Sequence, residues 1–141
     1  KSINLYPSLC FLEQTPVSIG RGTENQFQII GKPDWEKTNY QFKPISMLGA
    51  KYPKFENKIC NGYNLKSEKY LSQISLKWLI IGYKNEKDKE SFFKSGFHRL
   101  AGNKTLERQI INGLSEKEIK KTWTQGLNNF RKTRKKYLIY N

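Results

Sequence analysis

The spacing of apolar residues divides the chain near Ser67: before it they alternate in short runs broken by glycine and proline, and after it they return every three or four positions. In the first part, Leu5-Tyr6-Pro7 reads as extended, and Pro7 or Ser8 opens a short helix over Ser8–Glu13 that Pro16 ends. Thr15–Gly20 alternates apolar and small polar residues and is extended, leading into a turn at Gly20-Arg21-Gly22-Thr23. Phe27-Gln28-Ile29-Ile30 is a predicted strand closed by Gly31-Lys32-Pro33. A polar connection over 34–41, anchored by Trp35 and Tyr40, leads to a second strand over Phe42–Leu48, which Pro44 confines to an edge or makes irregular. A loop over 50–56 precedes a third strand, 57–65, with Ile59, Asn61, Tyr63 and Leu65 on one face. Gly62 within it marks either a bulge or a close backbone approach.

The second part reads as helical. Leu71, Ile74, Trp78 and Ile81 stand at helical spacing with Leu79 widening the face, predicting a mostly buried helix over 70–84. A short helical segment over 88–93 follows, then a turn ending Phe97-His98-Arg99-Leu100-Ala101-Gly102. Thr105 is the expected cap of a helix carrying Leu106, Ile110 and Ile111 and stopped by Asn112-Gly113. Ser115-Glu116-Lys117-Glu118 fits the capping-box pattern. Ile119, Trp123, Leu127 and Phe130 then form one face of a last helix running to about Lys136, and Tyr137-Leu138-Ile139-Tyr140 alternates as a short closing strand. Strands first and helices second predict an α+β fold: a small mixed or barrel-like sheet packed by C-terminal helices, in one domain over 1–141.

Composition narrows the function classes. With 36% hydrophobic and 13% aromatic residues, including Trp35, Trp78 and Trp123, the 141-residue chain can build a core and does not read as disordered. Its longest apolar patch, Trp78-Leu79-Ile80-Ile81, falls far short of the ~18 residues of a spanning helix. Lys1-Ser2-Ile3-Asn4-Leu5 carries neither a starting Met nor a signal or lipidation motif and reads as an excised piece. Two cysteines, Cys10 and Cys60, and one histidine, His98, provide no zinc set and no disulfide framework; two buried thiols or one bridge both fit. No metal or cofactor is expected. The net charge of +14 attracts polyanions without naming one, and a solvated basic face is the simpler explanation. The cluster Arg131-Lys132-Thr133-Arg134-Lys135-Lys136 at the end of the last helix also complements the helix dipole. The aromatic residues stand at core spacing and do not interleave with cations, which argues against a nucleic-acid stacking platform.

Unusual residues concentrate in Glu13–Gln28. Gly20 and Gly22 flank Arg21, with Thr23 beside them and Gln28 beyond, a construction that exposes a guanidinium and main-chain N–H groups. The spacing matches neither phosphate-loop pattern, and with His98 as the only histidine and no Gly-x-Ser-x-Gly elbow, nucleophilic triads are excluded. An arginine aimed from a glycine turn makes bidentate contacts with a carboxylate or phosphate. Glycosidases typically use two carboxylates, and this loop holds only Glu13 and Glu24. Glu13 near Arg21 reads as an ionised partner, either closing the turn as an ion pair or meeting a substrate.

Several segments carry a family resemblance. Tyr6-Pro7-Ser8-Leu9-Cys10-Phe11-Leu12-Glu13-Gln14-Thr15, Val17-Ser18-Ile19-Gly20-Arg21-Gly22-Thr23 and Phe27-Gln28-Ile29-Ile30-Gly31-Lys32-Pro33 resemble the C-terminal domain of the NamZ-type exo-β-N-acetylmuramidases. So do Phe42-Lys43-Pro44-Ile45-Ser46, Cys60-Asn61-Gly62, Phe97-His98-Arg99-Leu100-Ala101-Gly102 and Arg134-Lys135-Lys136-Tyr137-Leu138-Ile139-Tyr140. Where that family commonly has Glu-Gly-Thr, this chain has Glu13-Gln14-Thr15. The resemblance implies an exported two-domain enzyme, periplasmic or extracellular, that removes N-acetylmuramic acid from the non-reducing ends of peptidoglycan fragments. It also implies a Rossmann-like N-terminal partner domain holding the catalytic glutamate. This chain, inactive alone, is then the second wall of the cleft, with Glu13, Arg21, Thr23 and Gln28 as binding residues and Gly20 and Gly22 shaping the loop. The alternative is a carbohydrate- or polyanion-binding module with no catalytic role.

Overall fold

A computed structural model of the chain describes residues 1–36 and 38–139. The first helix, α1, is Ser2–Leu9, continued by a 3₁₀ turn over Cys10–Gln14, so it starts well before the predicted Pro7 or Ser8. Leu5, Leu9 and Leu12 make one fully buried stripe, and that burial overrides the proline signal. Pro7 inside the helix has no N–H to donate to the carbonyl of Ile3, a residue 90% exposed.

Three strands follow: β1 (Ile29–Lys32), β2 (Tyr40–Phe42) and β3 (Cys60–Asn64), in the order β1-β3-β2. Both pairings are antiparallel and the sheet is open, so the fold is α+β with neither a mixed nor a barrel-like sheet. β1 starts two residues later than its apolar run because Phe27 has φ +57°, and it continues through Gly31 and Lys32. β2 lies upstream of the predicted 42–48: Pro44 cannot donate to a ladder, and beyond it Met47 and Ala50 only close a tight turn. In β3, Tyr63 shares the face of Ile30 towards the main core, while Cys60, Phe42 and Ile29 form a small cluster on the other side. Ile59, expected to share a strand face with Asn61, Tyr63 and Leu65, precedes the first paired residue and is 61% exposed. Gly62 marks a close backbone approach: a Cβ there would lie 1.9 Å from the Ile30 carbonyl oxygen.

The helical half departs from its periodicity at 70–76. The next helix, α2, is Lys77–Asn85, burying Trp78, Leu79 and Gly82. The preceding residues lie along α1 because side chains of that helix take their main-chain groups. Asn4 Nδ2 donates to the Leu71 carbonyl and Asn4 Oδ1 accepts from the Leu71 N–H, both at 2.8 Å. Ser8 Oγ accepts from the Ser75 N–H at 2.9 Å. Residues 88–93 form turns, not the predicted helix, with Asp88 accepting from Ser91 and Phe92 fully buried. α3 (Phe97–Ala101) ends at Gly102, whose φ of +74° is the left-handed stop. α4 (Thr105–Ile111) is capped by Asn103 Oδ1, which accepts from the N–H groups of Thr105 and Leu106; the expected Thr105 cap is itself the first helical residue.

α5 (Glu116–Lys135) begins with the predicted capping box: Ser115 Oγ accepts from the Glu118 N–H, and the Glu118 carboxylate accepts from the Ser115 N–H. Its apolar face is buried only at the start. Ile119 is fully buried and Trp123 packs on the core, but Leu127 and Phe130 are 46% and 62% exposed because none of the described residues covers that half. Residues 137–139 form no strand; Tyr140, the end of that predicted strand, and Lys37, within the 34–41 connection, lie outside the described residues. Ile119→Ala should therefore cost about 2–5 kcal/mol in urea unfolding, and Leu127→Ala less than about 0.5 kcal/mol, although both stand on the same heptad-like stripe. Among the described residues no helix is long and apolar enough to cross a membrane.

Candidate functional site

The segment 13–28 leaves the 3₁₀ turn, runs beside β1 and folds back on itself. Ser18 pairs with Gly31, donating at 2.9 Å and accepting at 3.0 Å, which fixes the incoming limb to the sheet. The turn that follows needs both glycines. Gly20 and Gly22 have φ of +78° and +81°, and a Cβ on either would come within 2.7 Å of main-chain oxygen, of Asn25 and Ile45 respectively. The outgoing limb closes through the Phe27 N–H, which donates to the Ile19 carbonyl at 2.8 Å.

This turn aims Arg21 back at the end of the 3₁₀ segment. Arg21 Nη2 and Nε donate to the same Glu13 oxygen, Oε1, at 2.6 and 3.2 Å, and the guanidinium lies 5.1 Å from the centre of the Phe27 ring. The pair stays partly open, with side-chain exposures of 43% for Arg21 and 29% for Glu13, so its Coulombic contribution is screened by water. Of the two alternatives for Glu13, the ion pair is formed, and Oε2 and Nη1 remain unengaged among the described contacts.

A pocket of about 190 Å³ opens at this pair, lined by Glu13, Ser18, Ile19, Arg21, Tyr52, Pro53 and Lys54. Thr23 and Gln28 do not line it. Thr23 Oγ1 donates to the Gly20 carbonyl at 2.7 Å and accepts from the Asn25 N–H at 3.0 Å, holding the turn together. Gln28 sits at the foot of β1 and ties it to the end of β3, its carbonyl accepting from the Leu65 N–H at 2.8 Å. Gln14, where the resembling family has glycine, lies in the 3₁₀ turn with no positive φ, so the backbone there does not require glycine.

Sequence reasoning missed Lys54. Its ammonium donates to the carbonyls of Leu12, Glu13, Thr15 and Val17 at 3.1, 3.2, 2.7 and 3.0 Å. Burial pushes its pKa down to about 8, nearby Lys94 and Arg21 push the same way, and Glu13 opposes them. One lysine among many in a cationic chain gives no sequence signal. Cys10 and Cys60 are free thiols away from this pocket, and burial pushes Cys60 up to about 11.

Set against known proteins, residues 4–140 match the family described as the C-terminal part of the exo-β-N-acetylmuramidase NamZ. The peptidoglycan β-N-acetylmuramidase NamZ of Bacillus subtilis is 31% identical over 158 residues, covering 99% of this chain and 38% of that protein. The crystal structure of a DUF1343 family protein from Bacteroides fragilis superposes with a TM-score of 0.92 at 41% identity, over 99% of this chain and 41% of that one. The chain thus spans about two fifths of the length of the relatives it matches. With a match running almost end to end and the fold held in common, the chain belongs to the family of NamZ C-terminal domains.

Proposed function

We propose that this chain is the C-terminal, cleft-forming domain of an exported exo-acting β-N-acetylmuramidase, and that its Glu13–Arg21 pocket faces the substrate. Residues 1–141 form one domain and provide one wall. An N-terminal domain of the same protein provides the other wall and the catalytic glutamate. The substrate is a peptidoglycan fragment, from whose non-reducing end N-acetylmuramic acid is released. The observation that carries this reading is the partly open Arg21, held by a single Glu13 oxygen at the mouth of a pocket in a family of muramidase domains. Muramic acid differs from its parent amino sugar by a lactyl carboxylate, and a fixed guanidinium is the side chain best matched to that group. Glu13 orients the guanidinium, while Thr23 holds the turn that carries it and Gln28 ties the foot of β1 to β3.

The test is hydrolysis of a chromogenic β-N-acetylmuramide by the full-length enzyme and by its Arg21→Ala form. Loss of a charge-assisted contact is expected to lower kcat/KM by about 10- to 100-fold, equivalent to about 1.5–3 kcal/mol. An unchanged value would remove the pocket from the substrate's path, and turnover by residues 1–141 alone would place the catalytic group in this chain.

The basic face favours a second reading, a polyanion-binding module. Beyond Glu118, α5 carries Lys120, Lys121, Arg131, Lys132, Arg134, Lys135 and, just after its last turn, Lys136, with no acidic residue among them. That reading requires affinity that falls steeply with salt and is indifferent to Arg21→Ala.

A further inference from the structure

We infer that Lys54 is the positioning residue of the Glu13–Arg21 pocket: its ammonium, enclosed by main-chain carbonyls of residues 12–17, fixes the wall from which Glu13 aims Arg21. Four carbonyls drawn from six consecutive residues converge on Nζ at 2.7 to 3.2 Å, so its three N–H groups are shared among four acceptors. The chain there is curled to make that enclosure. Thr15 Oγ1 donates to the Leu12 carbonyl at 2.9 Å and accepts from the Val17 N–H at 3.2 Å, across Pro16, which has no N–H of its own. Carbonyl dipoles turned to one point repel each other, and a cation at that point is what makes the arrangement stable. The carbonyl of Glu13 is one of the four, so the Glu13 side chain departs from a main chain that Lys54 holds.

The residue before it acts on the other end of the same loop. Pro53 packs so tightly against Gly22 that a Cβ on Gly22 would lie 2.6 Å from Pro53 Cγ. One dipeptide, Pro53-Lys54, thus grips the segment before Arg21 through its carbonyls and the residue after Arg21 by contact. Glu13 from the 3₁₀ turn, Arg21 from the loop and Lys94 from the turns before α3 are the charged groups that act on the ammonium. Burial and the two cations favour loss of its proton, whereas Glu13 and the carbonyl dipoles favour keeping it.

The inference rests on the proposed function only in taking this pocket as the ligand-facing wall. Its test reads pocket geometry with no ligand present, so its failure and that of the muramidase reading are separate results. Carbon-detected NMR of the chain would follow Lys54 Cε, Arg21 Cζ and the Glu13 carboxyl carbon from neutral to alkaline pH. The Arg21 and Glu13 signals are expected to shift with the Lys54 midpoint, well below that of exposed lysines, and Lys94→Met should raise that common midpoint. In Lys54→Met at neutral pH the same two signals should move, while those of α5 stay in place. Arg21 and Glu13 signals that ignore the Lys54 midpoint, or that stay put in Lys54→Met, would overturn the inference. Should that variant fail to fold, the titration of the unaltered chain decides alone.

Discussion

Replacing Glu86 with alanine is expected to lower the unfolding free energy by about 2–4 kcal/mol, the cost of leaving a partly buried ammonium with one longer partner and two N–H groups without their acceptor. Glu86 Oε2 lies 2.8 Å from Lys32 Nζ, with only 3% of the Glu86 side chain exposed, and Asp34 is a second partner at 3.4 Å. Oε1 also accepts from the N–H groups of Lys87 and Asp88, at 2.9 and 3.3 Å. The variant therefore leaves two N–H groups without that acceptor and one ammonium with a single, longer partner. Burial alone would lower the Lys32 pKa, but Glu86 and then Asp34 hold it above its ordinary 10.5. A base whose pKa is raised by folding contributes stability that is complete below its unfolded value and lost only as pH rises through the folded one. The Glu86→Ala loss should thus be fully expressed at neutral pH. The double variant Lys32→Met/Glu86→Leu should recover most of it, since neither charge is left alone. Urea unfolding of the parent, of Lys32→Met, of Glu86→Leu and of the double variant measures the coupling; additive losses would show that the pair does not act as a unit.

Gly62→Ala is expected to be of similar size, at least about 3 kcal/mol, the upper end for overpacking. The cause is contact, not backbone angle. Gly62 is at the middle of the central strand, and its missing Cβ would meet the Ile30 carbonyl oxygen at 1.9 Å and the Gly31 Cα at 2.8 Å. Those are main-chain atoms of β1, and they can yield only by opening the sheet that fixes Ser18 and the foot of the Arg21 loop. Gly126→Ala is the contrasting case: it lies in α5, and beyond the adjoining residues and main chain of that helix no described atom comes within 4 Å of the added methyl. It should raise stability by about 0.5–1 kcal/mol, the helix-propensity difference. Equal urea midpoints for the two variants would contradict this account of Gly62.

What was legible in the chain was whatever local chemistry decides. Ser115 and Glu118 make a capping box from their own main-chain groups, and Gly102 and Gly113 stop helices through a φ that other residues resist. The Gly20-Arg21-Gly22 turn and its Glu13 partner were readable for the same reason, as was the order of strands before helices. What escaped was decided by distant partners. Residues 70–76 have helical spacing, yet Asn4 and Ser8, more than sixty positions earlier, take their hydrogen bonds. Leu127 and Phe130 repeat the spacing of Ile119, but periodicity records which residues share a face, not whether anything covers it. Lys54 and Glu86 are the sharpest cases: each is one of many charged residues in the sequence, and only the fold withdraws these two from water.

α5 gives the chain a polarity of charge. Its 20 residues extend about 30 Å, rooted through Ile119 and Trp123 and exposed along most of the rest, with Arg131, Lys132, Arg134 and Lys135 gathered at the far end. A positive group carried at the end of such a helix acts as a lever in an external field. Near an extended anionic layer the chain would turn until that end led, and the side opposite the helix tip would trail. Approach would then have a preferred direction before any specific contact formed, a bias that dissolved salt weakens as the Debye length falls to about 8 Å at physiological ionic strength.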